Sequence, residues 1–251
     1  MMKIIAFGDG KFKRIALNWV KHLEVLGITN YVVISLDTEI YDFLTSHGAN
    51  TELIEQADIF KHRDQRNMNK AWAMRLQLIY DRLSGHDGII HSDLDAVWLR
   101  DPSKFINLEY DIIASTGNMQ TEMYEQLNLS FCMGWIFFKN NDKIKNLFKK
   151  ILDHESRFDD QLALNDYLIK QKNIRMSDKS DNIIGIKEVT FGDIKTQVLC
   201  EKIVARHPAS IKTSRDCAYV YHPHLCGDIP QREKLLKVVD LWCLNESDTQ
   251  L

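Results

Sequence analysis

Residues 88–102, which read GIIHSDLDAVWLRDP, decide how the chain is interpreted. An apolar run leads into two carboxylates, Asp93 and Asp95, and a second apolar run ends at a proline. Side chains at positions i and i+2 of a strand point the same way, so we expect the two carboxylates to converge where a strand leaves its sheet. Convergent carboxylates repel each other and lose hydration, and a divalent cation such as Mg²⁺ or Mn²⁺ would stabilise them. The alternative is a solvated turn, in which Asp is common.

The length and composition suit one large α/β domain or two small ones. The chain has 251 residues, 45% of them hydrophobic and 27% charged, which is enough to bury a sizeable core. The formal net charge is −3, and the Lys and Arg residues are scattered along the chain. This charge pattern predicts no nucleic-acid partner.

Cysteine spacing and hydropathy indicate the setting in which the protein works. The five cysteines are odd in number and show no C-x-x-C spacing, which disfavours both a disulfide framework and a structural zinc site. The apolar run near the N-terminus is too short for a signal peptide, and no apolar run approaches the ~18 residues that a membrane span needs. We therefore expect a cytoplasmic protein with no membrane span.

Strands and helices alternate before the Asp93 region. Apolar runs at 4–7, 31–36 and 51–54 predict strands, and helical spacing predicts helices over 15–26, 40–46 and 68–83. This alternation predicts a mostly parallel, Rossmann-like sheet flanked by helices, with ligands bound at the carboxyl ends of its strands. The second half is mixed, with strands at 110–115 and 131–138, helices over 143–155 and from 159 or 160 to 167, short strands within 171–220, and a final helix over 235–244.

Several separate pieces match one family in order. They are Asn18-Trp19, 26–30 and 33–37, then 93–102, 131–138, 160–165, and finally His222-Pro223 with Gly227 and Lys234. Together they resemble the nucleotide-diphospho-sugar transferases, with glycosyltransferase family 77 as the nearest fit. The resemblance implies a GT-A fold and transfer with retention at the anomeric carbon. The chain departs from the family pattern at Cys132-Met133, where relatives carry Asn or Asp, and this departure leaves the donor sugar open.

The resemblance implies a metal site built on the two carboxylates. Asp95 would be a direct ligand of Mn²⁺ (or Mg²⁺), and Asp93 would act through water or hold the ribose. His222 would be the third ligand, because histidine is a common nitrogen donor. His224 is a nearby rival, and an ordinary loop histidine is the alternative for either.

Residues at strand ends and on the last helix would hold the donor. Phe7, Gly8 and Asp37 follow the first two strands, where the resemblance puts the uracil and ribose; ordinary turn chemistry explains them equally well. Lys234 would reach the diphosphate. Its alternative is an exposed helix lysine, which is the usual case.

Two helices carry the remaining candidates. Arg75 aligns with a basic residue of the family and would clamp phosphate or pair with Asp93, with Lys70 as a competitor. Asp160 is explained as a helix N-cap, but the resemblance implies a carboxylate beneath the anomeric carbon. It would act as a nucleophile or stabilise an oxocarbenium-like state, while Gln161 would bind the sugar.

The sequence thus predicts a retaining, metal-dependent glycosyltransferase. It would move a sugar from a UDP-sugar donor to a hydroxyl acceptor on a glycan or protein. We expect a single GT-A domain over 1–251, with a nucleotide-binding half at 1–102 and a donor-sugar and acceptor half at 103–251.

Two other functions stay open at this point. A haloacid-dehalogenase-type phosphatase also has D-x-D-x-[TV] after an apolar strand, with Asp93 as nucleophile and Ser115 or Thr116 as its second motif. In that class the nucleophile strand lies near the N-terminus, whereas here two β-α units precede it. The second alternative is a non-catalytic nucleotide-sugar binder, which only the Cys132-Met133 departure supports.

Overall fold

The computed structural model describes residues 1–55, 65–117, 121–153, 159–177, 187–224, 228–245 and 248. Contacts divide the chain into two compact units. The first unit comprises Met1–Lys3, Asp58–His91 and Lys104–Cys200, and the second comprises Ile4–Ala57, Ser92–Ser103 and Glu201–Leu251. The halves expected on either side of residue 102 stay a prediction.

Strands and helices alternate through the first hundred residues, as the sequence predicts. The strands described are β1 (Lys3–Gly8), β2 (Tyr31–Ser35), β3 (Thr51–Leu53), β4 (Gly88–Ser92), β5 (Val97–Trp98), β6 (Ile112–Thr116), β7 (Phe131–Lys139), β8 (Arg175–Ser177), β9 (Lys187–Phe191), β10 (Ile194–Leu199), β11 (Val204–Ala205) and β12 (Val220–Tyr221). The α-helices described are α1 (Lys13–Val25), α2 (Thr38–Ser46), α3 (Gln65–Leu83), α4 (Glu122–Leu127), α5 (Asp142–Asp153), α6 (Asp160–Ile169), α7 (Pro208–Ser214) and α8 (Ile229–Val238).

The second unit contains the parallel strands that open the chain. They lie in the order β3-β2-β1, and both neighbouring pairs are parallel. Every residue of β2 is buried, which explains its continuous apolar sequence. Gly27 adopts a φ of +69° just after α1, so a glycine ends this helix where the sequence predicts a stop.

The first unit contains a mixed sheet in the order β4-β7-β6-β10-β9-β8. Strand β6 pairs antiparallel with β7 and parallel with β10, while β9 pairs antiparallel with both β8 and β10. Eight of the nine residues of β7 are buried, including Trp135, which is fully buried. The mixed α/β architecture predicted from the sequence is therefore confirmed.

The final helix differs from its prediction. It spans Ile229–Val238, whereas the sequence suggested 235–244. Asp228 caps its N-terminus by accepting a hydrogen bond from the Gln231 N–H, and Pro230 lies in the first turn, where its missing N–H is harmless. Asp240 then takes a left-handed φ of 57° and prevents continuation. After the helix, Val239 and Leu241 are buried in the core and Trp242 packs against the same cluster. The predicted helix over 143–155 ends at Asp153 in the structure, and its last two residues lie outside the described part.

Within the described ranges, no helix is both long and apolar enough to cross a bilayer.

A buried asparagine on α1, Asn18, forms hydrogen bonds with the main chain of residues 241–243. The Asn18 side chain is fully buried; its Nδ2 donates to the Leu241 carbonyl at 3.0 Å, and its Oδ1 accepts from the Cys243 N–H at 2.8 Å. His22 Nε2 donates to the same Leu241 carbonyl at 3.1 Å. Asn18 therefore satisfies main-chain groups that no regular secondary structure pairs.

We expect Asn18→Ala to lower the free energy of unfolding by about 2 kcal/mol, because it leaves buried main-chain groups unpaired. Urea denaturation measures this change. Gln77→Ala is the matched control, since the exposed Gln77 makes a helical bond to Asp81 at 2.7 Å and its loss should cost a few tenths of a kcal/mol. Equal effects of the two substitutions would contradict the role given to Asn18.

Candidate active site

The two carboxylates that follow β4 lie in a turn. Strand β4 ends at Ser92, and the Ala96 N–H donates to the Asp93 carbonyl at 3.0 Å to close the turn before β5 begins. The expectation that Asp93 and Asp95 converge through strand alternation is therefore wrong in its geometry. A turn brings them together instead. Trp98 Nε1 fixes the turn by donating to Ser92 Oγ at 3.1 Å.

Strand pairing brings His222 beside this turn. Strand β12 runs antiparallel to β5, with Tyr221 opposite Val97, so the residue after β12 lies next to the turn before β5. His222 Nε2 is 3.4 Å from Asp93 Oδ2 and 3.6 Å from Asp95 Oδ1. The side chains of Asp95 and His222 are 2% and 8% exposed, and Asp93 keeps 32% of its surface in solvent. The site is thus buried on one side and open on the other.

The three side chains suit a divalent cation. Asp93, Asp95 and His222 each offer a ligand atom, and these atoms lie within 4.8 Å of one another. Two carboxylate oxygens and one imidazole nitrogen are donors that Mn²⁺ accepts, while Mg²⁺ prefers oxygen alone. Because Asp95 is almost fully buried, its charge requires a positive partner. The residues present therefore fit the metal that the sequence predicts.

Arg232 is a functional candidate that the sequence analysis missed. It lies on α8, and its guanidinium contacts the Asp95 carboxylate. Lys234, the residue chosen from the sequence, is exposed on the same helix. Positions two apart on a helix point to different sides, so a helix that directs Arg232 at the turn directs Lys234 elsewhere. Gly227, which belonged to the same matching stretch, lies outside the described residues.

Arg206 is the second missed residue. It follows β11, is 5% exposed, and places its guanidinium between two histidines. Nη1 lies 2.6 Å from His222 Nδ1, and Nη2 lies 2.8 Å from His224 Nδ1. No local sequence signal marks this arginine, because its partners His222 and His224 lie sixteen and eighteen residues further along the chain.

His224, the rival ligand, faces Arg206 in this arrangement. Burial, followed by the charges of Arg206, His207 and His222, lowers the pKa of His224 to about 4. His224 also approaches Glu201 and His207 closely enough to form a second group of possible metal ligands. The Arg206 guanidinium beside His224 opposes a second cation there.

The ends of β1 and β2 hold three further predicted residues. The Asp37 carboxylate caps α2 by accepting from the Ile40 N–H at 3.0 Å, and it accepts from the Gly10 N–H at 2.8 Å. A Cβ on Gly8 would lie 2.6 Å from the Leu94 Cδ1 atom, so β1 packs closely against the Asp93–Asp95 turn at this glycine and the Leu94 side chain would have to shift for a larger residue. Phe7 precedes Gly8 and is half-buried. The structure therefore shows a capping role for Asp37 and a packing role for Gly8. Contacts of Phe7, Gly8 and Asp37 with a donor stay a prediction.

In the first unit, Arg75 pairs with Asp160. Arg75 Nε and Nη2 donate to the two oxygens of Asp160 at 2.5 and 2.6 Å, which is the bidentate geometry of a strong ion pair. Asp160 is 1% exposed. The N-cap of α6 is Asp159, which accepts from the Gln161 and Leu162 N–H groups, so the capping explanation for Asp160 is wrong. Lys70, the competitor of Arg75, is exposed.

The Cys132-Met133 segment, where the chain departs from the family pattern, is fixed through its main chain. The Met133 N–H donates to Gln161 Oε1 at 3.2 Å, and His91 Nδ1 donates to the Met133 carbonyl at 2.6 Å. Asn165 forms a pair of bonds with the main chain of Phe131. The strand is therefore held by side chains of α6, whatever residue stands at position 132.

Comparisons with known proteins show which family and which structures the chain is similar to. The sequence model of the nucleotide-diphospho-sugar transferases matches residues 26–235. Arabinosyltransferase XEG113 of Arabidopsis thaliana is 22% identical over 187 residues, 67% of this chain and 28% of that protein. A UDP-galactose:fucoside alpha-3-galactosyltransferase of Dictyostelium discoideum is 26% identical over 225 residues, 72% of this chain and 34% of that protein. The chain spans about a third of the length of these curated relatives.

Solved structures agree on the fold. The galactosyltransferase LgtC, in complex with donor and acceptor sugar analogues, has a TM-score of 0.56 at 14% identity and covers 98% of both chains. The bifunctional glycosyltransferase WbbM has a TM-score of 0.56 at 13% identity, over 95% of this chain and 49% of its own. The fold is that of GT-A glycosyltransferases.

We expect Arg75→Met to lower the free energy of unfolding by about 3 kcal/mol, because it removes the bidentate partner of the buried Asp160 carboxylate. Adding Asp160→Leu should restore most of this loss, since a buried ion pair can be replaced by apolar side chains at little cost. Urea denaturation of the single and double variants measures the coupling. Lys70→Met on the same helix is the control and should change stability little. A double variant no more stable than Arg75→Met would contradict the pairing.

Proposed function

The chain belongs to the nucleotide-diphospho-sugar transferase family, and from this we propose that it transfers a sugar from a UDP-sugar donor to a hydroxyl acceptor with retention and with the help of a divalent metal. The observation that carries the proposal is the cluster of Asp93, Asp95 and His222. In a chain of this family, such a cluster at the end of an apolar strand offers the ligands for a metal ion that would bind the diphosphate of the donor.

Asp93, Asp95 and His222 would hold Mn²⁺ (or Mg²⁺). When bound, the cation supplies positive charge against the negative charge that builds on the leaving diphosphate. Preorganised charge of this kind is usually the largest contribution to catalysis. Arg232 would add a cationic donor on the same side, because its guanidinium already contacts Asp95. We propose it for this role ahead of Lys234, which is exposed.

Asp160 and Gln161 are the candidates for acting on the sugar. Arg75 pairs with both oxygens of Asp160, and a carboxylate held in this way can serve either as a nucleophile or as a stabiliser of an oxocarbenium-like state. Gln161 Oε1 is held by the Met133 N–H, which leaves its amide nitrogen as a possible donor to a sugar hydroxyl. Phe7, Gly8 and Asp37 are proposed contacts of the nucleoside.

The name of one relative supports uridine diphosphate as the nucleotide of the donor, whereas the two relatives are named for different sugars. The Dictyostelium enzyme is named for UDP-galactose and the Arabidopsis enzyme for arabinose, so the proposal commits to uridine diphosphate and to a glycan or protein hydroxyl as acceptor. A reducing, cytoplasmic setting is also proposed. In the described part of the chain, Cys132, Cys200, Cys217 and Cys243 are free thiols, which suits such a compartment.

Of the two alternatives, the family match speaks against a haloacid-dehalogenase-type phosphatase with Asp93 as nucleophile. A non-catalytic nucleotide-sugar binder would keep the same site, so turnover decides between it and the enzyme. Release of free sugar from a UDP-sugar in the presence of Mn²⁺ would exclude the non-catalytic binder.

We expect Asp95→Asn to reduce Mn²⁺-dependent turnover of the UDP-sugar by at least about 100-fold, because it removes a buried ligand charge from the metal. Release of UDP from a panel of UDP-sugars, with and without Mn²⁺, measures the effect. Asp101→Asn in the same stretch is the control and should retain full turnover. Full turnover in Asp95→Asn would show that the metal site is wrongly assigned.

Retention predicts the configuration of the product. With a donor whose sugar is α-linked, the sugar first released or transferred should be the α-anomer. Proton NMR recorded before mutarotation distinguishes the two anomers. A β-anomer as first product would require inversion and would remove Asp160 from the role proposed for it.

A further inference from the structure

We propose that Arg206 sets the tautomer of His222 and thereby competes with the divalent cation for this ring. The part of this inference that concerns the cation rests on the proposed function; the part that concerns the tautomer rests on hydrogen bonding alone. Arg206 is thus a positioning residue that acts through His222.

Arg206 is held in place by its strand. It directly follows β11, which pairs in parallel with β12. The pairing continues beyond both strands, because the His222 N–H donates to the Ala205 carbonyl at 2.9 Å and the His224 N–H donates to the Arg206 carbonyl at 3.3 Å. The Arg206 residue is 5% exposed. The strand pairing therefore fixes the main chain of Arg206 beside the two histidines.

The contact fixes which nitrogen of His222 carries the proton. Arg206 Nη1 lies 2.6 Å from His222 Nδ1. A guanidinium has donors only and does not lose its charge in a protein, so Nδ1 must accept this hydrogen bond. A neutral imidazole has a single proton, which must then lie on Nε2. Nε2 is the nitrogen that faces the carboxylates of Asp93 and Asp95, at 3.4 and 3.6 Å.

This tautomer is the opposite of the one that a metal needs. A ring nitrogen that carries a proton has no lone pair for a cation, so ligation through Nε2 requires its proton to pass to solvent and another to be taken up at Nδ1. The new Nδ1–H would then face a guanidinium, which cannot accept it. Metal-bound histidines normally donate their second N–H to a carboxylate, a carbonyl or water. Contact with Arg206 and ligation of the cation therefore exclude each other.

Three substitutions separate the possible effects of Arg206. Arg206→Lys keeps the charge and remains a donor only. Arg206→Met removes the charge and offers no polar group. Arg206→Gln also removes the charge, but its amide can donate to Nδ1 or, after rotating, accept from Nδ1–H, so it is compatible with both tautomers.

We expect Mn²⁺ affinity, measured by titration calorimetry, to be similar in the wild-type protein and Arg206→Lys. It should rise in Arg206→Met and rise furthest in Arg206→Gln, by about tenfold or more over Arg206→Lys, which is the scale on which partners of metal ligands act. Urea denaturation identifies any variant that does not fold. Arg206→Gln binding no more tightly than Arg206→Met would overturn the competition.

The tautomer is tested without metal and without substitution. Long-range ¹H–¹⁵N correlation spectra of the metal-free, ¹⁵N-histidine-labelled wild-type protein should show His222 protonated on Nε2 only, with His222→Gln used to assign the signal. A proton on Nδ1, alone or with one on Nε2, would overturn the inference. If neither the wild-type protein nor any variant binds Mn²⁺, the metal in the proposed function is wrong and the competition falls with it, while the spectrum still decides the tautomer.

Discussion

The burial of negative charge at the Asp93–Asp95 turn is the constraint on which the candidate site depends. Asp95 is 2% exposed, and a carboxylate so buried must have cationic or hydrogen-bonding partners within a few ångströms. The second unit supplies them from two directions, since the β5–β12 pairing delivers His222 and helix α8 delivers Arg232. Gly8 permits the close packing that holds the turn against β1. Fold and site are therefore built by the same contacts in this unit.

The first unit meets the same constraint in another way. Asp160 is as deeply buried as Asp95, and Arg75 forms a bidentate ion pair with it. A fixed ion pair keeps a carboxylate charged and oriented, which suits a group that acts on a sugar. The cluster of Asp93, Asp95 and His222 can instead exchange its hydrogen-bonding partners for a cation, which suits a metal site. The two buried acids thus have different proposed tasks because their partners differ.

Much of the fold could be predicted from the sequence, since short-range patterns control it. The continuous apolar run of β2 and the glycine after α1 predict their elements directly, and the D-x-D spacing predicts a pair of carboxylates. What could not be predicted depends on long-range pairing. Arg206 and Arg232 meet their partners only through strand β12 and helix α8, and no pattern near either residue marks it. The final helix was misplaced for a local reason, because the Asp228 cap and the left-handed Asp240 outweigh the apolar spacing.

The central claim is that Asp93, Asp95 and His222 hold a divalent cation. Electron-nuclear double resonance on the Mn²⁺-loaded protein tests it most directly, because a nitrogen bound to the metal gives a resolved ¹⁴N coupling. We expect this coupling in the wild-type protein and in His224→Gln, and its loss in His222→Gln. A coupling that persists in His222→Gln, or that disappears in His224→Gln instead, would contradict the account.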